Sequence, residues 1–203
     1  MGFLDNFLNT KNKWAREIVR YADDYKLVND PETGKEDVVY CGDIFIWDLS
    51  EQEHKKRRVL CVGAVVALFA VSIAFGFIRN NVVILFPANG FYGLTEASLF
   101  FLLFETIRAA MLGRQLESKE LNGPVKKARL AGVIAAAVSS ASFAAAVFVY
   151  LKYRHILNGS GNILYIIGSF TIAAGCWSVL FLLKHYMDKI TLEDGTLLKD
   201  IRY

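Results

Sequence analysis

The stretch Ala128–Tyr150 constrains this chain more than any other. It reads ARLAGVIAAAVSSASFAAAVFVY, and no charge follows Arg129 until Lys152. As a helix those ~22 residues run roughly 33 Å, enough to cross the hydrocarbon core of a bilayer. Small residues recur at every fourth position: Ala128, Gly132, Ala136, Ser140 and Ala144. Such a row lets a neighbouring backbone approach closely, and close packing holds helices together in lipid. The row therefore predicts a helix-packing seam inside a membrane bundle.

Three further apolar runs extend the argument. Together they predict four spans, at 59–78, 93–113, 129–151 and 163–183. The chain is 54% hydrophobic with a mean hydropathy of +0.33, and that apolar content is concentrated in 59–185. The expected organisation is a polar N-terminal region 1–58, a four-span membrane domain 59–185 and a polar tail 186–203. The fold class is all-α integral membrane, a four-helix bundle with a small cytosolic cap.

Charge orients the bundle. Of the 23 Lys and Arg residues, ten lie in 1–58, five in 113–129 and four in 184–203, against one in 79–93 and two in 151–162. Loops rich in Lys and Arg stay on the cytoplasmic side. This places both termini in the cytoplasm, with the plasma membrane the expected location. The overall charge of +3 is too small to argue for a nucleic-acid partner. No stretch near Met1 has the uncharged core of a cleavable signal peptide.

The cap is expected from local patterns. Apolar residues at spacings of three and four across Met1–Tyr25 predict an amphipathic helix. It lies either in the membrane interface or on the protein's own cytosolic surface. Tyr25–Asp48 changes to strand-like composition around the turn residues Asp30, Pro31 and Gly34, predicting a hairpin. Ser50 followed by Glu53 predicts a helix start with Ser50 as N-cap. Asp194-Gly195 between apolar residues predicts a second hairpin. Both hairpins fall on the cytosolic side, where they are expected to share a sheet. Val82–Phe86 is too short to span. It reads as an interfacial or re-entrant piece, or as the start of a long kinked second helix.

Few residues carry chemistry. Glu105 and Arg108 stand at i, i+3 inside the second span and can pair. An intramembrane charge is costly, so such a pair is either structural or part of an ion or proton site. Glu96 lies about 180° around that helix from Glu105 and reads as a solvated residue near the outer interface. Ser98 shares the Glu105 side. The run Lys55-Lys56-Arg57-Arg58 is a topology signal that also suits anionic headgroups. Trp47 and other aromatics near the span ends fit an interfacial belt. His54, His155 and His185 fall at three membrane edges without ligand spacing, so no metal and no cofactor is expected. Three scattered cysteines predict no disulfide. With no catalytic constellation in register, the chain does not read as an enzyme. The expected role is an interaction, scaffold or accessory subunit with a protein partner or further copies of itself. The alternative is a small oligomeric channel or transporter using Glu105 and Arg108.

Overall fold

The computed structural model describes residues 24–29, 36–157 and 159–192. It is mostly helical, with four long helices and a small sheet.

Helix α1 (Glu51–Gly76) starts where its capping chemistry dictates. The Ser50 backbone is extended and its side chain accepts a hydrogen bond from the Glu53 N–H at 3.3 Å, and Glu51 and Glu53 sit in the first turn. Acidic residues there complement the positive end of the helix dipole. The helix therefore begins ahead of the apolar run and carries the basic run on its first turns. Helices α2 (Ala88–Ala110), α3 (Lys126–Lys152) and α4 (Ser160–Met187) follow. Three helical stretches are long and apolar enough to cross a membrane: α1, the stretch Ser118–Lys152 that ends in α3, and α4. The fourth helix, α2, falls short because Glu96, Glu105 and Arg108 interrupt it.

The four helices pack in cyclic order, α1 on α2, α2 on α3, α3 on α4 and α4 back on α1. Close approaches show which ends meet. A Cβ placed on Gly76 would strike the Tyr92 hydroxyl, and one on Gly161 would lie 2.3 Å from the Arg79 carbonyl oxygen. The end of α1 thus abuts the starts of α2 and α4.

Residues 82–86 form neither a second-helix start nor a regular element of their own. They belong to a turn held by asparagines. Asn80 Oδ1 accepts from the Val83 N–H at 2.9 Å, and Asn162 Oδ1 from the Asn81 N–H at 2.8 Å. Val82 is fully buried with Ala88, Ala146, Val149, Leu157 and Tyr165, whereas Ile84 and Phe86 are exposed. Helix α2 starts only at Ala88, directly after Pro87, whose ring cannot donate to a helical ladder.

At the opposite end lies the sheet. Strands β1 (Tyr25–Asn29) and β2 (Glu36–Tyr40) form the expected antiparallel hairpin. Strand β3 (Ile44–Trp47) leaves it to become the centre of a second sheet, between β4 (Gln115–Glu117) and β5 (Ile190–Leu192). The hairpin β1–β2 therefore keeps a sheet of its own, against expectation, and only β3 shares a sheet with the C-terminal segment. The third strand of that sheet comes from the α2–α3 connection. The Tyr25 hydroxyl donates to Glu117 at 2.5 Å and joins the two sheets. That hydrogen bond, with burial, pushes the Tyr25 hydroxyl up to about 12. Residues 1–23 of the helix expected over Met1–Tyr25 and the turn at Asp194-Gly195 lie outside the described residues, while Tyr25 opens β1 and not a helix end.

Candidate functional site

Glu105 and Arg108 meet as their spacing predicts. Arg108 Nη1 lies 3.2 Å from Glu105 Oε1 and 3.3 Å from Oε2. Glu105 is buried, whereas the Arg108 side chain is 42% exposed and lies over the Phe104 ring. The cation reaches back from the helix surface to cover a carboxylate on its own helix. Thr106 is buried beside it with a hydroxyl that has no partner among the described residues.

The small-residue seam is buried only in its first half. Ala128, Gly132 and Ala136 are buried, Ser140 is half-buried and Ala144 is exposed. A helix has 3.6 residues per turn, so a row of fours drifts about 40° per step around it. The face that packs is instead Ala128, Ala131, Ala135, Ser139, Ser142, Ala146 and Val149, which averages about 3.5 residues per step. That is the repeat of helices that wrap around one another left-handedly. Gly132 sits under three leucine methyl groups, from Leu180, Leu183 and Leu102, at 3.2–3.9 Å from where its Cβ would be. Ser140 still serves contact between helices, accepting from Trp177 Nε1 at 3.1 Å.

Of the basic cluster, Lys55 and Lys56 are exposed, and Arg57 and Arg58 half-buried. On the same turn His54 is buried against a stack of Trp47 on Tyr186, whose rings lie 4.1 Å apart. Trp47 is thus not a belt residue: it is 1% exposed and welds the sheet to α1 and α4. Arg114 Nε donates to the Trp47 carbonyl at 3.3 Å. Burial, with Arg58 and Arg114 nearby, holds the His54 imidazole below its ordinary range.

The polar cluster that sequence reasoning missed centres on Glu96. This residue is not a solvated interface group. It is half-buried, and its Oε2 accepts from Ser72 Oγ of α1 at 3.1 Å. The Tyr92 hydroxyl lies beside the same carboxyl, and its Oε1 is buried without a partner among the described residues. Tyr92 also lines a small, mostly apolar cavity with room for about one water molecule, which Glu96 itself does not line. Tyr92 and Thr95 of α2, Ser139 and Ser142 of α3, and Tyr165 and Ser169 of α4 line it. With Ser72, all four helices supply hydroxyl groups. Thr95, Ser139 and Ser169 donate their own protons to helix carbonyls one turn back. The Tyr165 hydroxyl is buried and unpartnered. Serines scattered through apolar runs were the available signal. Which of them face one another depends on helix rotation, which no single run encodes.

Among the described residues no group of three His, Cys, Asp or Glu is placed to hold a metal. Cys61 and Cys176 are buried free thiols. The chain matches no protein family, no curated protein and no solved structure.

Proposed function

We propose that the chain is a four-span protein of the plasma membrane, with both termini cytoplasmic, that works as an interaction or accessory subunit of a membrane complex. The observation that carries this reading is the contrast between the filled interior and the apolar exterior. Ala128, Ala131, Ala135 and Ala136 are each 0% exposed and bring backbones together at the centre. Phe100, Phe104, Phe148, Trp177 and Phe181 stand outward and exposed, a surface suited to lipid and to other membrane helices. The charges of α2 are consistent with a crossing. Glu105 is paired, and Glu96 turns toward Ser72. The charge asymmetry between the two sets of loops supports the orientation.

Two measurements test it. Single cysteines at Asn89 and Asn158 should be labelled by an impermeant reagent added outside cells, and one at Gly34 should not. Labelling at Gly34 would overturn the orientation. Native co-purification in mild detergent should recover a stoichiometric partner or a homo-oligomer, and a strictly monomeric species would overturn the subunit reading. A channel or carrier is the second reading. What favours it is the set of hydroxyl groups from α2, α3 and α4 at one small cavity, rather than Glu105 and Arg108, which satisfy each other on one helix.

A further inference from the structure

We propose that the arginine cluster at the sheet end of α1 binds the phosphate group of one anionic phospholipid. The inference rests on the membrane crossing proposed above, and not on the subunit role. Three guanidinium groups gather around the stack of Trp47, His54 and Tyr186. Arg114 Nε donates to the Trp47 carbonyl at 3.3 Å. The charge of Arg58 acts on both His54 and Tyr186, that of Arg114 on His54, and that of Arg57 on Tyr186 and Cys61. Among the described residues none of the three forms an ion pair; the one pair there joins Glu105 to Arg108. Asp48, Glu51, Glu53 and Asp188 lie at the same end, but they are exposed and pair with none of them. Glu117 is engaged by the Tyr25 hydroxyl, and Glu120 by the Glu117 N–H.

Like charges held together without a counter-charge repel. Arg57 adds a second cost: its Nη1 is buried without a partner among the described residues, and an unmet buried donor is unfavourable. Arg57 and Arg58 are half-buried, which separates them from the exposed Lys55 and Lys56 just before them. A guanidinium fork engages two phosphate oxygens at once, so phosphate is the anion that suits such a cluster. Position makes it a lipid phosphate. Val59 and Leu60 directly follow Arg58 and are 63% and 53% exposed. The adjoining end of α4 repeats that order, with Phe181 69% exposed and Lys184 in the last turn. Helices α1 and α4 pack on each other, and the pairing of β3 with β5 ties the start of one to the end of the other. Cations thus stand at one level, and outward apolar side chains begin immediately on its bilayer side. An anion that carries acyl chains meets both, whereas free phosphate meets only the first. A zwitterionic lipid brings its own cation to the cluster and fits less well.

The test uses the full chain in dodecyl maltoside micelles, with thermal unfolding followed by tryptophan fluorescence. Phosphatidylglycerol, phosphatidylcholine and inorganic phosphate are titrated in turn at constant ionic strength and pH. Phosphatidylglycerol should raise Tm by roughly 4 °C per tenfold increase above half-saturation, and the other two should leave it nearly unchanged. Arg57→Gln should raise the half-saturating lipid concentration about tenfold or more, since it removes a charge-assisted hydrogen-bonding group. Lys55→Gln removes an exposed cation and should raise it no more than about threefold. Equal shifts in the two variants would reveal a diffuse charge layer and overturn the site. Equal stabilisation by phosphatidylcholine or by inorganic phosphate would overturn the lipid assignment. Should Arg57→Gln not fold, Arg58→Gln is held to the same comparison with Lys55→Gln. Washing membranes with alkaline carbonate tests the crossing separately. Release of the chain would overturn the crossing, whereas a retained chain indifferent to phosphatidylglycerol would overturn this proposal alone.

Discussion

Glu96 and Glu105 stand nine residues apart on one helix, and the structure treats them in opposite ways. Glu105 is the more deeply buried, yet its neutralising partner is three residues away on the same helix, so its environment is set locally. Glu96 is less buried but depends on a group 24 residues upstream, Ser72 of α1. A local ion pair forms as soon as the helix does. A contact between two helices exists only when both are packed at the right rotation. The Glu105 end should therefore tolerate loosened helix packing better than the Glu96 end.

Crowding the Glu96 end should have the largest effect. A Cβ on Gly168 would lie 2.2 Å from the Phe75 ring, which lines the cavity. Gly168→Val should destabilise by about 2–3 kcal/mol. Gly63→Val, where nothing lies within 4 Å of the new Cβ, should have little effect. Comparable losses of Tm in the two variants would show that the Glu96 end is not tightly built.

The buried face of α3 comes next. Ala136 is 0% exposed, and Ala136→Leu should cost about 1–3 kcal/mol by overpacking. Val138→Leu is half-buried, and Ala144→Leu exposed; both should stay within about 0.5 kcal/mol. Thermal aggregation in detergent separates them. Equal effects at 136 and 144 would restore the simple four-residue seam.

At the Glu105 end, Arg108→Gln strands a buried carboxylate, while Glu105→Gln strands a cation that already reaches solvent. The first should cost about 1–3 kcal/mol and the second less, with the double variant recovering part of the loss. If the double variant is worse than either single one, the two residues do not act as a pair.

The smallest effect concerns the sheet end. His54 is held below its ordinary value of 6.5 by burial and neighbouring arginines. The unfolded chain therefore binds the proton more readily, so stability is full above pH 6.5 and falls as pH drops below it. Lowering pH from 7.5 to 5.5 should reduce Tm by more in wild type than in His54→Gln, and equal reductions would show that His54 does not titrate against the fold.

Much of the architecture was legible because it is local. Apolar run lengths placed α1, α3 and α4. Ser50 and Glu53 marked the start of α1, and the i, i+3 spacing brought Glu105 to Arg108. The site was harder to see. In the sequence Glu96 stands near the outer end of its run beside two hydroxyl residues, Thr95 and Ser98, and so reads as solvated. Both hydroxyls in fact bond to their own helix.

What the sequence by itself determined is the set of helices, their caps and the contacts within one turn, since backbone periodicity and hydropathy act over a few residues. The tertiary structure alone decided which stripe of α3 is buried, because small side chains line most of that helix and only its neighbours choose among them. It alone supplied β4, whose three residues become a strand only beside β3. It also brought Ser72 to Glu96 and the hydroxyl groups of α2, α3 and α4 to one cavity, because rotation of each helix about its axis is set by packing against the others.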